Sequence, residues 1–261
     1  MLNVLSYNIW FDAYKRAERL QSLIEIINKY KPDVLCLQEM IPEVYELMQS
    51  QLPEYQYKFP NSLKFSYGSV IMSKHIITQS YNEFYPETQM GRNLLATNIV
   101  FNNYNITIAT SHFESQFNMI NTTKTSQYIY TNNILNKLYD IFSPVIFCSD
   151  TNILNNEEKY FFKDNLWDDA YNIKLNTLNE EEKNKFKTEN EYTYDTINNT
   201  NLVNRNIKAI RSRIDRIVYR GNDTIQLKDF MLIKKVSEDI EPSDHFGILA
   251  EFDIVQTMIT I

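Results

Sequence analysis

Apolar and polar positions alternate in blocks along this chain. Leu2–Ile9 is apolar enough to predict a strand, and Ala17, Leu20, Leu23, Ile24 and Ile27 then recur at the spacing of one helix face. Pro32 closes that helix region, and Val34–Leu37 is a short continuous apolar run that predicts a strand buried on both faces. Glu43–Ser50, after Pro42, predicts a short helix, and Ser69–Met72 a further strand. Leu94–Phe101 and Tyr104–Thr110 flank Asn102-Asn103, a pair that suits a two-residue hairpin turn. A long helix is expected from about Thr123 to Phe142, then strands at Val145–Cys148, Arg213–Tyr219 and Phe246–Ile254. The polar stretch Leu178–Asn190 reads as a surface excursion. No internal repeat and no Pro/Ser linker divides the chain, so residues 1–261 read as a single domain.

Composition narrows the class. With 43% hydrophobic residues in 261, the chain can bury a sizeable core, and its four glycines leave no room for a Gly-rich nucleotide fingerprint. No window reaches the roughly 18 apolar residues of a membrane span, and the N-terminal stretch lacks the basic start of a signal peptide. Cys36 and Cys148 each lie in an apolar run and read as buried free thiols. The expectation is an intracellular protein, nuclear or cytoplasmic, with no membrane partner.

One chemically competent residue stands at the end of one apolar run after another. Asn8 follows Val4-Leu5, Glu39 follows VLCLQ, and His112 follows ITIATS. Asp150 and Asn152 follow VIFCS, Asp215 lies within RSRIDRIVY, and Asp244-His245 precede the final strand. Taken singly, each fits a solvated turn or a helix cap. Jointly, strand ends that meet at one edge of packed sheets would gather them into a site. Of the three histidines, His75 has no motif around it and reads as surface, whereas His112 and His245 each have a carboxylate close in sequence. No His/Cys cluster has zinc spacing. The oxygen donors suit a hard cation, Mg2+ with Mn2+ as a substitute, and this points to phosphoester hydrolysis.

The strings S-Y-N, L-Q-E, S-H-x-E-S, S-D-T-N, R-x-D-R and S-D-H, in that order from Asn8 to His245, resemble the endonuclease/exonuclease/phosphatase superfamily. The fuller strings PDVLCLQEMIP, MGRNLL, TSHFES and PSDHFGIL are similar to its branch that removes a topoisomerase tyrosine from a 5′ phosphate at a DNA end. The resemblance implies a four-layer α/β/β/α sandwich, two packed mixed sheets flanked by helices, and a Mg2+-dependent phosphodiesterase. It implies Glu39 as the metal ligand with Asn8 beside it, and Asp244 supporting the metal's water shell. It further implies Asp150 to activate water, Asn152 and His112 to hold phosphate, and His245, oriented by Asp215, to stabilise developing charge. Arg92, Glu114, Ser115, Tyr67, Tyr194 and Arg213 would contact substrate, with Tyr194 offering a ring for a terminal base. The partner implied is a DNA end bearing a 5′-phosphotyrosyl adduct, single-stranded at that end, bound by a monomer.

The chain departs from the family pattern in places. Trp10 stands where relatives carry an Asp near the metal, with Asp12 a possible stand-in, and Phe117 and Leu154 replace two arginines. Arg205, Arg211, Arg213, Arg216, Arg220 and Lys208, against the single acid Asp215, form a basic segment in a chain of net charge −7. It reads either as a polyanion contact or as arginines paired with surface acids. Rival readings are another phosphoesterase of the superfamily, such as an apurinic endonuclease or a non-specific nuclease, and a protein–RNA unlinking activity. A catalytically dead binding module would have lost Glu39, Asp150 or His245, and all three are present.

Overall fold

The structure, a computed structural model, describes residues 1–115, 122–142, 144–154, 157, 166–203, 205, 208–221, 224–236 and 240–255. Two six-stranded sheets dominate it. The first contains β1 (Leu2–Asn8), β2 (Val34–Met40), β3 (Tyr57–Phe59), β4 (Gly68–Ser73), β13 (Ile225–Ile233) and β14 (Gly247–Ile254), in the order β13-β14-β1-β2-β4-β3. The second contains β5 (Ile77–Phe84), β6 (Asn93–Phe101), β7 (Tyr104–His112), β8 (Val145–Asp150), β9 (Asp168–Asp169) and β12 (Asp215–Arg220), in the order β5-β6-β7-β8-β12-β9. A short pair, β10 (Tyr194–Asp195) and β11 (Arg211–Ser212), stands apart from both. The β1–β2 and β7–β8 pairs are parallel and the other pairs antiparallel, so both large sheets are mixed.

The period-2 pattern of the strands decides the layering. Val4, Cys36, Ile108, Ile146 and Ile248 point between the sheets into one core cluster. Their neighbours Leu5, Leu35, Leu37 and Leu249 point outward, where Leu23 and Ile27 of α1 (Arg16–Tyr30) and Met48 of α2 (Pro42–Gln51) cover them. On the far side Ala109 and Phe147 pack under Leu135 and Leu138 of α3 (Thr122–Phe142). The result is the expected α/β/β/α sandwich. Both cysteines are buried and free.

Local signals explain most boundaries. Asn102 and Asn103 both adopt positive φ, 48° and 68°, as a tight hairpin turn demands. The polar stretch read as a surface excursion is mostly exposed, and it is helical. It forms α5 (Glu180–Asn190), opened by a capping box in which Asn179 and Glu182 satisfy each other's backbone N–H. Its Phe186 packs against Tyr171 of α4 (Ala170–Asn176) and Phe230 of β13, a burial worth about 1.5–3 kcal/mol. His75, read as surface, is half-buried: it bonds Asp33 at 2.9 Å and packs edge-on against Phe101.

Candidate active site

Strand ends at one edge of the sandwich bring the expected residues together. Asn8 closes β1, Glu39 lies near the end of β2, His112 closes β7 and Asp150 closes β8. Asp215 opens the antiparallel β12 opposite Asp150, and His245 comes just before β14.

Three hydrogen-bonded units make up the cluster. In the first, the Asn8 amide donates from Nδ2 to Glu39 Oε1 at 3.2 Å and to Asp150 Oδ2 at 2.8 Å, joining two carboxylates across the two sheets. The second begins where Arg92 Nη1 donates to His112 Nδ1 at 2.7 Å. Arginine cannot accept, so the neutral imidazole carries its proton on Nε2, which lies 3.2 Å from Asp150 Oδ2. In the third, Asp215 Oδ2 bonds His245 Nδ1 at 2.8 Å, and His245 Nε2 points toward Asp150 Oδ2 at 3.9 Å.

Electrostatics give the two histidines opposite states. Burial, with Arg92 and then His245 nearby, drives His112 well below its ordinary range, so it is neutral. Burial also opposes charge on His245, but Asp215, Asp150 and Asp244 outweigh it and raise its pKa well above the ordinary value. His245 is therefore a cation at neutral pH. Burial and the charge of Asp215 push Asp150 up to about 7, against the pull of His245 and Asn8. Burial pushes Asp244 to about 6, with His245 lowering it and Glu39 raising it.

The backbone is strained where the chemistry collects. Glu39, Trp10 and Asn152 have φ of 58°, 59° and 50°, a region that costs a non-glycine residue about 1–2 kcal/mol. Glu39 sits in an irregularity of the β2–β4 pairing. Asn152 is 3% exposed; its Nδ2 donates to Phe113 O and its backbone carbonyl accepts from Lys124 Nζ.

Sequence reasoning missed Arg19. This α1 residue is 2% exposed and reaches back over the loop that follows β1. Its guanidinium donates to the carbonyls of Ile9, Trp10, Asp12 and Tyr14, and lies 4.3 Å over the Trp10 ring. That loop in turn donates Trp10 N–H to Asn8 Oδ1 at 2.9 Å and Phe11 N–H to Glu39 Oε2 at 3.1 Å. Only the placement of Arg19 within the first turns of an amphipathic helix hinted at this; on that helix face burial looked unfavourable for a charge.

The substrate-contact candidates divide. Arg92 is 5% exposed and its guanidinium lies 5.4 Å from the Tyr67 ring, beside His112. Tyr194 packs edge-on against His245 at 5.2 Å. Glu114 is placed differently from a surface contact. It is 1% exposed and its Oε1 accepts from Thr88, Gln89 and Met90, so it holds the loop that leads to Arg92. Ser115, half-buried, contacts Met90 Sδ. Arg213 is not brought to the cluster: it pairs with both oxygens of Asp169, as Arg216 does with one. Arg211 pairs with Asp195. Pairing with acids therefore describes these three arginines, but Arg213, Arg216 and Asp195 are buried and not on the surface. Phe117 lies outside the described residues; Trp10, between the guanidinium groups of Arg19 and Arg205 at 4.3 and 4.5 Å, offers no acid toward the cluster.

A metal fits this donor set. Asp150, Asp215 and His245 present ligand atoms within 4.8 Å of one another. Asp215 Oδ2 and His245 Nδ1 are, however, spent on each other. Asp215 Oδ1 is buried without a hydrogen-bond partner; with it the carboxylates of Glu39 and Asp150 and half-buried Asp244 nearby offer oxygen donors, and such donors suit a hard divalent cation.

The model of the endonuclease/exonuclease/phosphatase family matches residues 5–245. The chain belongs to this family. It is 30% identical over 262 residues to tyrosyl-DNA phosphodiesterase 2 of Xenopus laevis, covering 96% of this chain and 66% of that protein. It is 25% identical over 265 residues to the Homo sapiens protein of the same name, covering 98% and 69%. The chain thus spans about two thirds of the length of these relatives. The crystal structure of Danio rerio TDP2 complexed with single-strand DNA product superposes with a TM-score of 0.81 at 27% identity, covering 97% of this chain and 98% of that one. Family membership accounts for the order of the strand-end motifs and for the sandwich that gathers them. No helix among the described residues is long and apolar enough to cross a membrane.

Proposed function

We propose that residues 1–261 form one catalytic domain that hydrolyses the 5′-phosphotyrosyl bond between a topoisomerase-derived tyrosine and a DNA end, in DNA repair. The observation that carries this reading is the joining of Glu39 and Asp150 through Asn8, beside a His245 made cationic by Asp215. The similarity to tyrosyl-DNA phosphodiesterase 2 supplies the substrate class.

Mg2+, or Mn2+ in its place, is the ion that the oxygen donors suit; when bound it would neutralise charge on a non-bridging phosphoryl oxygen. Glu39 would hold it, with Asn8 fixing the Glu39 carboxylate and Asp244 carrying its waters. Asp150 orients and accepts a proton from the attacking water. His245 donates from Nε2 to a phosphoryl oxygen, and its charge offsets the negative charge that builds up as the phenolate leaves. A phenolate needs less protonation than an alkoxide, so a fixed cation suffices. Asn152 and neutral His112, whose Nε2 carries the proton, complete the phosphate contacts. Arg92 and Tyr67 flank that position on one side and Tyr194 on the other. The enzyme acts as a monomer inside the cell, in nucleus or cytoplasm, on an end that is single-stranded.

The test compares cleavage of a 5′-phosphotyrosyl single-stranded oligonucleotide with that of a 3′-tyrosyl end, an abasic duplex and a 5′-tyrosyl RNA. Release of a 5′-phosphate from the first substrate alone is expected. Cleavage of the abasic duplex in preference to it would assign the chain to a different branch of the family.

A further inference from the structure

Three phenylalanines among the described residues are strongly exposed: Phe11 at 46%, Phe65 at 61% and Phe84 at 45%. They are not scattered. Phe11 stacks on Tyr67 with ring centroids 5.1 Å apart, Phe65 stands two residues before Tyr67, and Phe65 packs edge-on against Phe84 at 5.9 Å. The Tyr67 ring also faces the Arg92 guanidinium, which bonds His112. Phe11 gives its N–H to Glu39. An apolar shelf therefore starts at the reaction centre and runs outward along the surface, where isolated exposed side chains would need no explanation but a joined set does.

Topology places this shelf on one flank. Tyr67 and Phe65 precede β4, Phe84 ends β5 and Arg92 precedes β6, and β3 lies against β5 between the sheets. The opposite flank is where β14 lies against β12 and where Tyr194 packs on His245. The two flanks differ in charge. Segment 192–213 carries Arg205, Lys208, Arg211 and Arg213; Arg211 pairs with Asp195 and Arg213 with Asp169, which leaves exposed Lys208 and Arg205, 3.7 Å from Asp12, as its outward charges, whereas segments 61–67 and 79–90 carry Glu83 and Glu87 against Lys64. A polyanion is favoured on the first and disfavoured on the second. A phosphotyrosyl substrate has two halves, one a nucleic acid and the other a polypeptide.

We propose that the shelf of Phe11, Phe65 and Phe84 around Tyr67 binds the protein half of the substrate, as an extended segment with apolar side chains next to the linked tyrosine. This rests on the hydrolase reading above. Exposed aromatic rings give large contact area at little entropy cost, which suits a varied peptide. The basic flank is left for the nucleotides.

The experiment uses three oligonucleotides of one sequence whose 5′ phosphate is esterified to p-nitrophenol, to the tyrosine of a Leu-rich hexapeptide, or to the tyrosine of a Ser/Gly hexapeptide. Wild type is expected to show a KM about tenfold lower for the Leu-rich adduct than for the other two, about 1.4 kcal/mol. The double variant Phe65→Ser/Phe84→Ser loses that preference and keeps its kcat and its KM on the nitrophenyl substrate. Phe65→Ser alone serves if the double variant melts early. Equal KM for all three adducts in wild type overturns the proposal, as does an equal loss on the nitrophenyl substrate. A variant effect that grows with oligonucleotide length would assign the shelf to DNA. Release of nitrophenol without any peptide effect sinks the shelf and leaves the hydrolase intact; no release from any adduct sinks both.

Discussion

Arg19→Met is the most informative single change outside the reacting groups. It removes five hydrogen bonds to four carbonyls of the loop after β1, and the cation that covers the Trp10 ring. Burial lowers the pKa of Arg19 to about 10, with Asp244 and Asp12 opposing the fall, so the lost donor is charged at neutral pH. A hydrogen bond to a charged group contributes about 1.5–3 kcal/mol, but the freed carbonyls of Trp10, Asp12 and Tyr14 are only part-buried and rehydrate in part, while that of Ile9 is buried. A net loss of about 3 kcal/mol is expected, with Arg19→Lys intermediate because an ammonium cannot span four acceptors. The same loop holds Asn8 and Glu39 through Trp10 N–H and Phe11 N–H. Divalent metal affinity should fall about 10–100-fold, as when other outer partners of a metal ligand are removed. Urea unfolding gives the first number and calorimetric titration with Mn2+ the second, while acrylamide quenching of Trp10 in a Trp167→Phe background reports whether the loop has opened. Unfolding midpoint, metal affinity and quenching all at wild-type values would refute the reasoning.

Asp169→Asn removes a half-buried carboxylate that holds the buried Arg213 and Arg216, and leaving those two cations without it should cost about 3–5 kcal/mol at pH 7. Burial alone would raise the Asp169 pKa, but the two arginines bring it below the ordinary value. Its stabilisation is therefore complete above the unfolded pKa near 3.9 and is lost as pH falls through the lower folded one, so unfolding curves of variant and wild type should converge in acid. Asp215→Asn removes the charge that keeps His245 cationic; activity that depends on that cation is lost as pH rises, and the alkaline limb of kcat should move toward neutral pH with a drop of about tenfold or more at pH 7. An unshifted limb would mean His245 acts neutral. Phe186→Ala should destabilise by about 3 kcal/mol in thermal melts, because the ring anchors α5 to Tyr171 and Phe230.

The strands that build the site were legible because their apolar runs are buried on both faces. Val34–Leu37 and Val145–Cys148 needed no periodicity to be found. The edge strand β5 was not legible: it pairs only with β6, and its residues after Ile77 are exposed and mostly polar. The helix α5 has so polar a face that its signal lay in the Asn179–Glu182 cap and not in apolar spacing. Asn8, Glu39, His112, Asp150, Asp215 and His245 could be named because each lies at or next to the end of a core strand. The basic segment around Arg213 did not show which acid it meets, because Asp169 comes from a distant segment. Arg19 escaped because its partners are backbone carbonyls, which no sequence motif marks.

Glu39, fixed by Asn8 and Phe11 N–H, is the residue proposed to hold the metal for phosphodiester hydrolysis. The most direct measurement is Mg2+ titration of phosphotyrosyl cleavage at a 5′ oligonucleotide end by wild type and Glu39→Gln, with Mn2+ binding followed in parallel. Saturable activation of wild type is expected, and for the variant a kcat at least about 10³-fold lower with weakened Mn2+ binding and an unchanged melting temperature. Cleavage that persists in Glu39→Gln at the wild-type metal requirement would contradict it.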